Sequence, residues 1–124
     1  MFKIDKSTKQ IDVTRGDYAP LQISANNDGT PYIFQIGDVV RLKVFKAKDC
    51  SNIELIKEVT VEEETTLVRM DLSGEDTKIG DLINKPVEYW YEVELNPETK
   101  PQTIIGYDQE GEKIFMLYPE GDDN

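Results

Sequence analysis

The stretch that most constrains this chain is residues 86–95, Pro-Val-Glu-Tyr-Trp-Tyr-Glu-Val-Glu-Leu. Val87, Tyr89, Tyr91, Val93 and Leu95 fall on one face at period two, and Glu88, Trp90, Glu92 and Glu94 on the other. Successive side chains of an extended strand point to opposite faces, so the pattern predicts a strand with one buried and one wet side. A helix would scatter the glutamates around its axis. The rest of the chain must pair with this strand or cover its apolar face.

The segment Val-Val-Arg-Leu-Lys-Val-Phe at 39–45 is the best candidate neighbour. It points Val40, Leu42 and Val44 inward and Arg41 and Lys43 outward. Its basic outer face is expected beside the acidic outer face of 86–95, Lys43 near Glu92, with each opposite-charge pair contributing roughly 0.2–1 kcal/mol. Residues 2–5, 10–14 and 66–72 also read as strands, and so do 18–24, where Pro20 suits an edge or a strand start. Asp28-Gly29 is a turn signal. Residues 53–61 fit a short helix or a strand, and their β-branched Val59 and Val61 favour strand. Residues 72–82 are expected to cross from one sheet to the other with one helical turn. Residues 102–107 and 112–118, separated by Asp108-Gln109-Glu110-Gly111, carry a hairpin signal. Seven to nine short strands with frequent turns predict an all-β, two-sheet antiparallel sandwich, with a small barrel as the alternative. No internal repeat or linker divides residues 1–124, so one domain is expected.

At 124 residues with 38% hydrophobic content, the chain can build one core. It has no apolar run of membrane-spanning length. Its start, Met-Phe-Lys-Ile-Asp-Lys-Ser, lacks the apolar stretch of a secretion signal, so folding in a cytoplasm is expected. The single cysteine, Cys50, rules out an internal disulfide and reads as a loop residue. With no histidine present, Ser–His and Cys–His catalysis are excluded and most zinc chemistry is removed. The net charge is −11. Residues 1–62 are balanced, whereas residues 63–124 carry five basic and sixteen acidic side chains. Such a surface repels phosphate, so nucleic acid is not expected as a ligand. Solubility explains the acidity in the plainest way; docking onto a basic partner surface is the sharper reading.

Carboxylates are plentiful, in Glu62-Glu63-Glu64, in Glu75-Asp76 and at Glu88, Glu92 and Glu94. A glycosidase needs two acids in a cleft with separated pKa values. These acids lie on wet faces and in turns, so no catalytic residue is assigned. The clusters at 108–112 and 71–76 offer oxygens for calcium, but neither matches the twelve-residue loop. No metal and no cofactor are expected. Arg15-Gly16-Asp17 and Gly37-Asp38 read as turns in which glycine accepts positive φ. Trp90 stands out. Among Glu88, Glu92 and Glu94 on an outward face it is a candidate anchor for a partner, or a platform for a sugar ring with Tyr32, Tyr107 or Tyr118 elsewhere. The plainer alternative covers it with a loop or with the C-terminal hairpin.

Three runs carry a resemblance: Ile11-Asp12-Val13-Thr14-Arg15-Gly16-Asp17, Asp28-Gly29-Thr30-Pro31-Tyr32, and Gly37-Asp38-Val39-Val40-Arg41-Leu42-Lys43-Val44. They resemble the N-terminal domain of phage baseplate upper proteins and similar small phage or prophage structural proteins of Gram-positive gut bacteria. Tyr89-Trp90-Tyr91-Glu92-Val93-Glu94-Leu95 fits the same pattern, as do Thr103-Ile104-Ile105-Gly106-Tyr107 and the run from Ile114 to Gly121. The resemblance implies an immunoglobulin-like β-sandwich made in a bacterial host cytoplasm and carried in the virion tail or baseplate. Its partners would be other virion or tail proteins, with a homo-oligomer open, and neither nucleic acid nor membrane. The family supplies no catalytic residues. The sequence also stops after the sandwich, which favours a small accessory or decorating protein over a linker to a receptor-binding device.

Overall fold

The computed structural model describes residues 2–4, 9–27, 29–47, 51–106 and 111–120, with backbone only for 2–4 and 27. Cys50, Tyr107 and the turn at 108–110 lie outside the described residues. The strands are β1 (Phe2–Ile4), β2 (Ile11–Thr14), β3 (Ala19–Ile23), β4 (Asn26–Asn27), β5 (Thr30–Pro31), β6 (Val39–Phe45), β7 (Ile53–Thr60), β8 (Val68–Leu72), β9 (Val87–Leu95), β10 (Gln102–Ile105) and β11 (Lys113–Tyr118). The protein is all-β and sandwich-like, as its alternating segments require.

The larger sheet has seven strands in the order β1-β2-β11-β9-β6-β7, with β10 also on β9. β9 is its longest strand and needs three neighbours to satisfy both edges. Along one edge β6 pairs antiparallel, from Val40 opposite Leu95 to Phe45 opposite Trp90. The other edge is shared: β11 takes the first half, from Leu117 opposite Val87 to Lys113 opposite Tyr91, and β10 takes the end near Leu95. The hairpin expected between 102–107 and 112–118 is therefore corrected. Both strands form, but among the described residues their ladders run to β9 and not to each other. Local turn chemistry predicted a pair; the long edge of β9 offered both segments a better one. Among the described pairs only β2 with β11 is parallel. β7 resolves the helix-or-strand ambiguity of 53–61 as strand.

β3 pairs with β8 in a second sheet, and β4 with β5 in a short hairpin whose Gly29 has φ +82°. The core lies between the sheets. Val40, Leu42 and Val44 of β6, the inward residues of β9, and Phe115 and Leu117 of β11 face Ala19, Leu21 and Ile23 of β3 and Val68, Met70 and Leu72 of β8. Burying each large side chain stabilises the fold by roughly 1.5–3 kcal/mol.

The 73–80 connection does cross between sheets, with one turn of helix-like backbone. Ser73 N–H donates to Asp76 Oδ2 at 2.9 Å, and Asp76 N–H donates back to Ser73 Oγ at 3.1 Å, a reciprocal cap. The turn is clasped to residues 15–17. The fully buried Thr77 hydroxyl accepts from Gly16 N–H at 3.0 Å and donates to the Asp17 carbonyl at 2.8 Å. A Cβ on Gly74 would sit 2.7 Å from the Gly16 carbonyl oxygen, closer than side chains approach. Arg15 bonds Glu120 at 2.6 Å and the carbonyls of Ile79 and Gly80. Arg15-Gly16-Asp17 is a structural turn, with Gly16 at φ +89° and Asp17 N–H bonded to the Thr14 carbonyl.

Candidate functional site: the outward face of the seven-stranded sheet

Cross-strand partners share a face, so the register writes the outward surface as rows. One row is charged: Glu58, Arg41 and Glu94 lie opposite one another on β7, β6 and β9. The next is Ile56, Lys43 and Glu92. The third is apolar across four strands: Ile53, Phe45, Trp90 and Ile114. Below it Glu88 faces Met116, which faces Asp12.

The charged rows are internally compensated, but not to neutrality. Arg41 pairs with Glu58 and, at 2.8 Å, with Glu98. Hydrogen bonds to Glu98 and then Glu58 push the Arg41 guanidinium above its usual pKa. Lys43 does lie directly opposite Glu92, as charge patterning predicts. Its ammonium leans to the diagonal neighbour instead, 3.1 Å from Glu94 Oε1. That oxygen is shut off from water and, among the described residues, accepts no hydrogen bond of good geometry, so the Lys43 charge is its compensation. Glu92 is left as the second carboxylate beside one ammonium. Burial, then the Glu94 charge, push its carboxyl above the usual range, while Lys43 pulls it back.

All four residues singled out from sequence stand on this face. Glu88 is exposed; Trp90, Glu92 and Glu94 are half-buried. Trp90 is half-buried, and Phe45 and Ile114 flank it in register. The sequence reading missed the company Trp90 keeps. Phe45 is 2% exposed yet stands outside the core cluster, on the outward parity of β6. Ile53 and Ile56 are 48% and 51% exposed at the β7 end of their rows. The signal was available: Phe45, like Val39 at the other end, is apolar on the parity that carries Arg41 and Lys43.

Tyr118 shares the outward parity of Ile114 and Met116 on β11, whereas Tyr32, Asp71 and Asp76 lie apart from this face. Tyr32 donates to Asp38 Oδ2 at 2.8 Å and packs edge-on against Phe34, with ring centroids 5.0 Å apart. Asp38 also accepts from Gln35 N–H and Asn96. Burial alone would raise the Asp38 carboxyl, but these hydrogen bonds outweigh it and hold the pKa below the usual value. Asp71 is bonded by Arg69 and Tyr18, and Asp76 by Lys57 at 2.8 Å. Glu62, Glu63 and Glu64 are exposed. Among the described residues no three metal-binding side chains of the His, Cys, Asp and Glu type lie together. A crevice of about 430 Å³ opens between the sheets, lined by Ile11, Leu21, Ile23, Leu42 and Val93. Its phenol, Tyr91, donates to the Lys9 carbonyl at 2.5 Å and is pushed to a higher pKa by burial.

No protein-family model matches the chain, and neither a curated protein nor a solved structure does.

Proposed function

We propose that the chain is a non-enzymatic structural protein of a phage or prophage tail or baseplate, made in the host cytoplasm and acting by protein–protein contacts. The contact surface in this reading is the outward face of the seven-stranded sheet. The observation that carries it is the row of Ile53, Phe45, Trp90 and Ile114. Ile53 is 48% exposed, Trp90 and Ile114 are half-buried and Phe45 is buried between them in register, and apolar surface rimmed by charge is typical of docking sites. The acids support a binding reading over a catalytic one, because Glu94, Asp71 and Asp76 each sit against a cation. The phage setting rests on the motif resemblance alone. Mass spectrometry of purified virions from the induced host tests it. The chain is expected among the particle proteins, and its absence from them would sink the assignment.

A carbohydrate-binding module is the competing reading, since Trp90 stands among carboxylates that could accept sugar hydroxyls. It calls for a second aromatic platform. Tyr32 is bonded to Asp38, and Tyr118 lies four positions along β11 from Ile114, the residue opposite Trp90. Glycan binding that vanishes in Trp90→Ala would favour this reading.

A further inference from the structure

We infer that the outward face takes a partner segment whose apolar stripe is flanked by lysine or arginine. The apolar side chains lie across Ile53, Trp90 and Ile114, beside the buried Phe45, and the cation lies on the Glu92–Glu94 pair. This deepens the binding reading above and rests on it only for there being a protein partner; it makes no use of the phage setting.

Two features fix the partner's chemistry. From Ile53 to Ile114 the row spans three strand spacings, about 14 Å, and its accessible side chains are Ile53, Trp90 and Ile114, with Phe45 buried among them, so it matches a stripe of several side chains rather than one knob. The adjoining row sets Glu92 directly across from Lys43, while Lys43 is engaged by Glu94 of the row beyond, so two carboxylates share one ammonium. The unbalanced charge lies one row from the aromatics, about 7 Å along the strands. An amphipathic segment with cations along one border of its apolar stripe places both chemistries at once. A second copy of this chain fits poorly. A two-fold contact through this face would bring Glu88, Glu92 and Glu94 against their own counterparts, on chains that each carry −11.

The chain has one tryptophan, so its emission reports on this face alone. The purified protein is titrated at neutral pH with a synthetic peptide of alternating leucine and arginine blocks. Two control peptides replace its arginines by glutamate or its leucines by serine. The leucine–arginine peptide is expected to shift Trp90 emission saturably, and neither control peptide should. Glu92→Gln should weaken binding about two- to fivefold, the range of one partly exposed ion pair. Glu63→Gln makes the same change in net charge on an exposed residue off this face, and should leave affinity unchanged. Ile53→Ser, at an exposed position that does not threaten the fold, should weaken binding at least as much as Glu92→Gln. The inference is overturned if the leucine–arginine peptide leaves emission unmoved or the glutamate peptide binds as well. It is overturned equally if Glu63→Gln and Glu92→Gln weaken binding alike, which would mean only the general field of an acidic protein. Because the peptides are synthetic, this experiment can succeed while the chain is missing from virions, and fail while the chain is present in them.

Discussion

The two faces of β9 share one backbone and differ in every other respect. The inward face presents Tyr89, Tyr91, Val93 and Leu95, each 5% exposed or less, against a second sheet. The outward face presents Glu88, Trp90, Glu92 and Glu94 to a surface that no part of the described chain layers over with a second sheet. The inward face is apolar because burying it drives folding. The outward face mixes a half-buried tryptophan, beside the buried Phe45, with glutamates. The contrast teaches that a strand can be fully explained on one side and only half explained on the other, and that function is to be sought on the unexplained side.

The largest expected effect breaks the comparison if it fails. Phe115→Ala, on the inward face of β11 opposite Tyr89, should cost about 3–5 kcal/mol in chemical denaturation, because a fully buried ring leaves a cavity. Trp90→Ala, on the outward face of the paired strand, should cost about 1 kcal/mol and leave the denaturant slope unchanged. Equal losses from the two would mean that the outward row is a second core.

Two carboxylates sharpen the comparison through pH. The Asp38 pKa is lowered in the fold, so its contribution is present above the unfolded value, about 3.9, and is lost as pH falls through the folded value. Asp38→Asn should therefore lower the thermal midpoint at pH 7, with the deficit shrinking below about pH 4. Glu92 is raised, so the sign reverses: its ionised form opposes folding at neutral pH, and the penalty fades as pH falls through the folded value towards the unfolded one, about 4.3. Glu92→Gln should raise the midpoint at pH 7, and the gain should disappear near pH 4. A Glu92→Gln protein less stable than wild type at pH 7 would show that Glu92 is a structural partner of Lys43, not a charge left over. The smallest effect concerns Lys43 itself. A double-mutant cycle with Glu94 should give a coupling of about 0.2–1 kcal/mol, and one with Glu92 a smaller value. The reverse order would place the ammonium on the directly opposite residue.

Much of this fold was legible in the sequence, for identifiable reasons. Period-two alternation gave β9 and β6 with correct faces, and opposite charges on their outer parities gave their adjacency. The parallel pairing of β2 with β11, residues 11–14 with 115–118, was not legible, since nothing local encodes a contact a hundred residues away. Residues 102–118 misled because a good turn signal says nothing about whether a longer strand edge will compete for the same segments. Of the site, Trp90 and its glutamates could be read from one strand. The row could not: Ile53, Phe45 and Ile114 come from three other strands and line up only through the register, including a shift between Val44 and Phe45.

The central claim is that binding belongs to the outward face of the seven-stranded sheet. It is tested most directly by placing a benzoylphenylalanine photo-cross-linker at Ile56 on that face, or at the exposed Gln22 on the opposite sheet, and irradiating particles purified from the induced host. The account predicts adducts to another particle protein from position 56 and none from position 22. Adducts from position 22 with none from position 56 would contradict it.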